Sequence, residues 1–307
     1  MRDLNTPLLG IDWGTTNRRA YVLDGEGKLV RQHSDEFGIL NLTGNYEAAL
    51  KLLLESLDLE RADVLMSGMV GSRNGWVQAP YLSVAQPLAR LSEALVEINT
   101  SLPGLRCRIV PGYRYTDADG TPDVMRGEET QVLGALAMGA AGGWFLLPGT
   151  HSKWVRVENG SIVEVVSFMT GELFALLSQH GTLAGLLKEQ TWLPAAFEAG
   201  LKGAQRGGFT HMAFCCRALV VTDTMPAEHA ASYLSGLLIG AELHDIRQRT
   251  GGRIKTPVQV IGNPALTARY VEAMEFFGMS ALVWPPDEVY AAALRVLALK
   301  RWKKQHA

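Results

Sequence analysis

The stretch LLGIDWGTTNRRAYVLDGEGKLV, Leu8–Val30, decides the fold. An apolar run ends in Asp12 and passes straight into Gly14-Thr15-Thr16, and a second run, Arg18–Leu23, follows. A turn that only reverses a strand is usually written Asn-Gly or Asp-Gly, and one of those is present too, at Asp24–Gly27. The first turn carries a carboxylate, two hydroxyls and a flexible backbone instead. Glycine lets an anion approach the main chain, so a strand followed by Gly-Thr is a candidate phosphate cradle. For one such turn taken alone, a tight hairpin that needs a glycine is the plainer explanation.

The pattern returns in WFLLPGTHSKWVRVENGSIVEVVSF, Trp144–Phe168: strand, Gly-Thr turn, strand, Asn-Gly hairpin, strand. Gly149-Thr150 falls on Gly14-Thr15 at an offset of 135, and hairpin glycine Gly160 falls on Gly27 at 133. Asp12 has no counterpart, since Leu147 stands there. Two such turns in two halves point to a duplicated core, each half offering a phosphate-gripping turn to a shared cleft. Asp12 is then placed to hold Mg²⁺ through water, because that ion prefers oxygen ligands and keeps its hydration shell; a turn-capping aspartate is the plainer alternative.

Between and beyond these stretches, helical and strand patterns alternate. Helices are expected at Asn45–Leu57, Pro87–Ile98, Gly127–Ala140, Gly171–Leu187, Pro226–Thr250, Pro264–Gly278 and Pro286–Trp302. Buried strands are expected at Leu105–Tyr113 and Pro257–Ile261, and Ala62–Ser72 reads as a buried strand running into a glycine-rich turn. The stretch from about Gln190 to Arg217 yields no clear pattern. The class is α/β.

The chain has 307 residues, 47% of them apolar and 20% charged, enough for two lobes with sizeable cores. We expect an N-terminal lobe over 1–143 and a C-terminal lobe over 144–307, with the terminal helix free to cross back. A net charge of −2 argues against a nucleic-acid or anionic-membrane partner. Cys107, Cys215 and Cys216 form neither a disulfide framework nor a metal spacing, which suits a reduced cytoplasm. The opening residues lack the apolar run of a signal peptide. Val132–Gly149 has 18 uncharged residues, yet Gly142-Gly143 divides it into a helix and a core strand rather than a membrane span. Neither a P-loop nor G-x-G-x-x-G after a strand occurs.

IDWGTTNRRAYVLD resembles the first phosphate motif of the sugar kinase, Hsp70 and actin superfamily, and LLPGTHSKWVRV a divergent second one. VIGNPALTARYVEAM stands where that superfamily's adenosine motif falls, with Asn263 in place of a second glycine after Gly262. Within the superfamily, ILNL, SGMVGSRNGW, APYL, VMRGEETQVLGAL, LPGTHSKWV and FMTGELFALL together resemble the 2-dehydro-3-deoxygalactonokinases. The resemblance implies a two-lobed actin-like ATPase (ribonuclease H-like) fold with a duplicated mixed-sheet core and a central cleft. It also implies ATP-dependent phosphorylation of 2-dehydro-3-deoxy-D-galactonate at its 6-hydroxyl, with Mg²⁺. Asp12, Gly14, Thr15, Thr16, Gly149, Thr150, Ser152, Lys153, Gly262 and Asn263 are then the nucleotide-binding candidates.

Phosphoryl transfer needs a group that accepts the hydroxyl proton. The resemblance implies an aspartate at a helix start, seven residues before a glycine; counting back from Gly134 gives Gly127, with Glu128 and Glu129 beside it. Glu128 is the first candidate, Glu129 the second and Asp123 an outsider, although acids also simply favour a helix N-terminus. A sugar acid needs a partner for its carboxylate, for which Arg73 and Arg126 are candidates. Asn41 suits a hydroxyl, and Trp76 suits stacking on the sugar chain or burial in the core. His151-Ser152 does not make a hydrolase pair, because neighbours on a strand point apart. Competing readings are a kinase of another sugar acid or polyol, and a nucleotide-switched sensor without catalysis. A homodimer is left open.

Overall fold

The computed structural model describes residues 6–42, 44–187 and 191–303. The first stretch of chain forms β1 (Leu8–Trp13), β2 (Arg18–Leu23), β3 (Leu29–Asp35), α1 (Tyr46–Ser56) and β4 (Ala62–Gly68). Then come β5 (Tyr81–Ser83), β6 (Val96–Ile98), β7 (Leu105–Ile109), β8 (Gly112–Thr116), β9 (Pro122–Met125) and α2 (Glu128–Ala137). The strand pattern restarts with β10 (Gly143–Leu147), β11 (Ser152–Glu158) and β12 (Ser161–Phe168). Helices α3 (Thr170–Gln179), α4 (Gly181–Ala184), α5 (Pro194–Ala204), α6 (Phe209–Val221) and α7 (Ala230–Arg249) follow. The chain closes with β13 (Val258–Ile261), α8 (Pro264–Phe276), β14 (Ala281–Trp284) and α9 (Pro286–Lys303).

The duplication seen in the sequence is written in the sheets. The six-stranded sheet has the order β3-β2-β1-β4-β7-β6, and the five-stranded sheet β12-β11-β10-β13-β14. β10 therefore takes the place of β1, β13 that of β4 and β14 that of β7. In both sheets the chain leaves the central strand through a Gly-Thr turn. β1 runs antiparallel to β2 and parallel to β4, and β10 runs parallel to β13. A small third sheet, β5-β8-β9, was not expected from the sequence.

Two compact units result: Met1–Gly142 with Val155–Val165 and Pro285–Ala307, and Gly143–Trp154 with Val166–Trp284. The terminal helix α9 thus belongs to the first unit. There, Gly10 of β1 leaves room for Leu294, and Gly134 of α2 lets the Val289 carbonyl of α9 approach where any Cβ would collide. Helix α1 forms because Asn45 accepts from the Ala48 amide at 3.1 Å, capping one orphan donor. Its apolar positions 46, 49, 50, 53 and 54 then face the core with Leu9, Ile11, Val64 and Met66. The second unit has one core around Trp144, Trp154, Phe197 and Tyr270, and another around Leu234, Leu237 and Cys216. α7 is buried on nearly all sides, and Gly200 of α5 and Gly236 of α7 allow those two backbones to touch.

Three sequence expectations are corrected. Pro87–Ile98 is not one helix: a 3₁₀ turn covers Leu88–Glu93, and Val96 and Ile98 pair with Ile109 and Cys107 as a strand. β-branched residues beside an open strand edge won over helical spacing. Leu105–Tyr113 is two strands, β7 and β8, in different sheets. The helix expected over Gly171–Leu187 breaks at His180, which is extended, and Gly181, at φ 77°. Val132–Gly149 divides as expected, α2 ending at Ala137 and β10 starting at Gly143. No helix among the described residues is long and apolar enough to cross a membrane. The unreadable stretch folds as α5 and α6, with Gln190 outside the described residues, as are the first five residues.

Candidate active site

In the first unit, three backbone segments meet through two glycines. Gly68 ends β4 at φ 86° and Gly127 precedes α2 at φ 111°, a region costly for any side chain. A Cβ on Gly68 would lie 2.7 Å from the Trp13 carbonyl and 3.4 Å from Asp12 Oδ1; one on Gly127 would lie 3.2 Å from Gly68 Cα. The end of β1, the end of β4 and the start of α2 are therefore in backbone contact, and Asp12 and Glu128 sense each other's charge.

Asp12 is half-buried. Burial pushes its carboxyl up to about 6, against the pull of Arg19, its register partner on β2, and with a further push from Glu128. Behind it, the Ser67 and Tyr290 hydroxyls share a hydrogen bond of 2.8 Å, and Tyr21 donates to Asp287 at 2.8 Å, anchoring the start of α9. The turn after β1 closes by Gly14 N–H donating to the Asn17 carbonyl at 2.9 Å. Its outer carbonyls accept from the following segment: Ile39 donates to Gly14, Leu40 to Thr15 and Gly38 to Thr16. Among the described residues no acceptor takes the Thr15 or Thr16 amide hydrogens. A backbone locked on its carbonyl side with open N–H groups suits an anion.

The two glutamates at the start of α2 differ sharply. Glu129 is fully buried; it accepts from Gly127 N–H at 2.8 Å and from the Thr130 hydroxyl at 3.0 Å. Burial, helped by the Glu128 charge, pushes its carboxyl up to about 8, so it already carries a proton near neutrality. Glu128 is only half-buried and accepts from the Arg126 amide at 2.9 Å. Asp123 lies on β9, with its carboxylate accepting from the Val124 amide at 2.7 Å.

The substrate candidates also separate. Arg126 is 8% exposed; Nη2 donates to the Ala79 carbonyl at 2.8 Å, and the guanidinium lies 4.2 Å from the centre of the Tyr81 ring. Among the described residues, its Nε and Nη1 have no partner, nor do the buried hydroxyls of Ser72 and Tyr113. Ser72 follows Gly71, whose Cβ position is 3.0 Å from Arg126 Nη1, and Tyr113 pairs with Met125 just before Arg126. Arg73 is exposed on a turn closed by Gly75 N–H donating to the Ser72 carbonyl. Trp76 is half-buried, stacked on Tyr46 at 6.1 Å and packed on the core. Asn41 is exposed and donates to the Glu36 carbonyl at 2.6 Å, on the segment that closes the Gly14–Thr16 turn.

In the second unit, the Gly149–His151 turn is held from one side by α3. Glu172 N–H donates to the Thr150 carbonyl at 2.9 Å, and His151 pairs with the Glu172 carboxylate at 2.5 Å. Gly171 sits so close to the Gly149 carbonyl that a side chain there would collide with it. Ser152 is fully buried and donates to Glu242 at 2.7 Å, and Lys153, also buried, donates to Ser167 at 2.6 Å. Glu242 further accepts from Trp154 Nε1 at 2.8 Å, from Tyr270 at 2.8 Å and from Thr170. Burial raises this carboxyl above its ordinary value, and the four donors offset only part of that push. Asn263 caps α8, accepting from Ala265 and Leu266, with Pro264 in the first helical position. That role accounts for an asparagine after Gly262, whose own Cβ position is 3.1 Å from Pro148 Cδ.

The 2-keto-3-deoxy-galactonokinase family model matches residues 12–297. The 2-dehydro-3-deoxygalactonokinase of Escherichia coli (strain K12) is 36% identical over 292 residues, 94% of this chain and 97% of that protein. This chain belongs to the 2-keto-3-deoxy-galactonokinase family. It is a sugar kinase. A crystal structure of a candidate 2-dehydro-3-deoxygalactonokinase from Sinorhizobium meliloti superimposes with a TM-score of 0.87 at 30% identity, over 96% of this chain and 97% of that one. Beyond the family, the ADPNP-bound activator of 2-hydroxyisocaproyl-CoA dehydratase from Clostridium difficile is similar at a TM-score of 0.51 and 12% identity, over 98% of each chain. The kinase has the α/β actin-like ATPase fold.

Sequence reasoning missed three parts of this kinase. Gly68 and Gly127 are legible only as glycines in SGMVG and MRGEE; their contact needs three dimensions. Glu242 sits mid-helix in an apolar stretch, LIGAELHDI, and that single buried acid was the available signal. The Ser72 and Tyr113 hydroxyls, without a partner among the described residues, leave no trace in the sequence.

Proposed function

We propose that this kinase transfers the terminal phosphoryl group of ATP to the 6-hydroxyl of 2-dehydro-3-deoxy-D-galactonate, with Glu128 accepting the hydroxyl proton. The observation that carries this reading is Arg126, a guanidinium nearly sealed from solvent with two nitrogens unpaired among the described residues, two residues before the half-buried Glu128. A buried cation with open N–H groups is costly until an anion completes it, and a planar guanidinium matches a carboxylate. A sugar acid brings that carboxylate at one end and the reacting hydroxyl at the other. Glu129 is already protonated near neutrality and sealed from solvent, so it supports the helix start and Glu128 is the base.

The Gly14–Thr16 turn offers its open Thr15 and Thr16 amides to nucleotide phosphate oxygens, and the Gly149–Thr150 turn is the second phosphate candidate. Gly262 and Asn263 shape the end of β13 for the adenosine. Ser152 and Lys153, both buried and hydrogen-bonded, support their strand. Asn41 and Arg73 are the remaining polar contacts for the sugar chain, and Trp76 steadies the turn that carries Arg73. Asp12 fits Mg²⁺: it is a hard oxygen donor whose charge is crowded by Glu128, and a neighbouring cation relieves that crowding. Among the described residues no group of three acids, histidines or cysteines forms a metal cage, in keeping with an ion held mainly by water and phosphate. When bound, Mg²⁺ neutralises charge on the phosphate oxygens.

The test is a coupled ADP-release assay with ATP, Mg²⁺, a panel of sugar acids and polyols, and the amide of the preferred acid. The expected result is turnover of 2-dehydro-3-deoxygalactonate, with its amide poorer by on the order of 100-fold. Arg126→Gln is expected to erase that difference. Equal turnover of polyols refutes the sugar-acid reading, and turnover of another panel member alone moves the substrate assignment to it.

A further inference from the structure

We infer that Glu242 is a positioning residue for the Gly149–His151 turn, tying together the strand that leaves the turn and the helix that closes on it. Ser152, the first residue of β11, donates to Glu242 Oε1 at 2.7 Å. Thr170, the first residue of α3, donates to the other oxygen, Oε2. Trp154 Nε1 and the Tyr270 hydroxyl fill the remaining two positions. A carboxyl group offers about four lone-pair sites, and four side-chain donors reach Glu242 here. All five side chains are at least nine-tenths buried.

Among the described residues, the turn's other contacts are of a different kind. Its carbonyl and histidine contacts run to Gly171 and Glu172, which are themselves carried by the helix that Thr170 begins. If Thr170 and Ser152 both point at one fixed carboxylate, the spacing between β11 and α3 is set, and with it the shape of Gly149 and Thr150. Desolvation makes such a group expensive unless it is fully hydrogen-bonded. A volume-matched apolar side chain would fill the space without directing either hydroxyl. Unlike a general stabiliser, the network acts on the two sides of one turn.

The inference rests on the reading of this turn as a phosphate-binding segment, and the experiment separates the two. Ser152→Ala and Thr170→Val each cut one tie with little change in volume. Magnesium-ADP dissociation constants are measured by calorimetry, and KM is measured separately for ATP and for the sugar acid. Each variant is expected to raise the nucleotide dissociation constant and ATP KM on the order of 10-fold, because small misplacements of binding groups are costly. The sugar-acid KM stays within about twofold. Thr170 lies outside the turn, so its effect runs through the network.

Glu242→Gln is the rescue control. Its amide oxygen can accept from Ser152 and Trp154 while the Thr170 and Tyr270 hydroxyls rotate to accept from its nitrogen, so binding stays near wild type. Leu238→Ala, on the same helix but in the other core cluster, controls for lost stability and leaves nucleotide affinity unchanged. Unchanged nucleotide affinity in folded Ser152→Ala and Thr170→Val overturns the inference, as does a sugar-acid KM that rises in step with that for ATP. If the wild-type chain binds no magnesium-ADP, the phosphate-turn reading fails and the positioning role goes with it.

Discussion

Replacing Glu129 by glutamine should stabilise the protein at neutral pH and leave it a working kinase. Glu129 is fully buried, and its carboxyl is pushed up to about 8 from an ordinary 4.5, first by desolvation and then by Glu128. A carboxyl whose folded-state pKa is raised contributes most stability below its unfolded pKa, and the contribution is lost as pH climbs to the folded value. Over that window the fold holds one proton more than the unfolded chain, so stability falls by about 1.4 kcal/mol per pH unit. By pH 7 the accumulated loss from this one group is on the order of 3 kcal/mol.

Glutamine does not titrate. Its oxygen can accept from Gly127 N–H, where Glu129 Oε2 now sits, and its nitrogen can donate to the Thr130 hydroxyl, which rotates. The difference in unfolding free energy between Glu129→Gln and wild type should therefore be small at pH 4.5. It should grow to about 3 kcal/mol in favour of the variant at pH 7 and level off above pH 8. Urea denaturation followed by tryptophan fluorescence at half-unit pH steps measures it, and titrations shared by both proteins cancel. Turnover of Glu129→Gln is expected to persist, whereas Glu128→Gln loses about 10²–10⁴-fold in kcat. A stability difference that is flat from pH 4.5 to 8 means Glu129 is ionised in the fold, and the assignment of the base to Glu128 loses its main support.

Other expectations follow from single contacts. Gly68→Ala must place a Cβ 2.7 Å from the Trp13 carbonyl at φ 86°, so it should cost about 1–3 kcal/mol of stability and depress kcat by shifting Asp12. Asn263→Ala removes the cap of α8; a loss of about 1 kcal/mol by thermal denaturation is expected, and no loss would mean the cap is redundant. Gly134→Val drives a side chain into the Val289 carbonyl, so α9 should lose amide protection in hydrogen exchange; unchanged protection would refute that packing. Chelation with EDTA should abolish turnover and Mg²⁺ should restore it, while activity surviving chelation would remove the metal role given to Asp12.

What the sequence made legible was periodic or local. The strand–turn–strand pattern of Leu8–Val30 and its return at Trp144–Phe168 appear in the sheets as the same run of strand positions. Helix α1 was readable because its cap and its apolar stripe are both local. Pro87–Ile98 was not, because Val96 and Ile98 answer to β7, a partner that a local window cannot see. The site divides the same way. Asp12, Gly14 and Gly149 are marked by turn chemistry. The choice between Glu128 and Glu129 depends on burial, and adjacent residues on a helix start carry no sign of which one turns inward.

The duplicated halves also show how one strand order can serve two chemistries. In the first unit, Asp12 lies next to the end of β1, Glu128 at the start of α2 is half-buried, and two nitrogens of the buried Arg126 are unpaired among the described residues. In the second, β10 ends in Leu147, and the buried acid nearest the turn, Glu242, has four donors. A fully satisfied carboxylate fixes structure, while a partly satisfied guanidinium awaits a ligand. The unmet capacity of Arg126 is therefore the feature to test with a sugar acid, whereas the four donors on Glu242 fix local shape. Exchanging the roles should fail asymmetrically. Glu242→Gln is tolerated because its partners can rotate, but Arg126→Gln removes a charge that no neighbour among the described residues replaces, so discrimination between acid and amide disappears even though the fold survives.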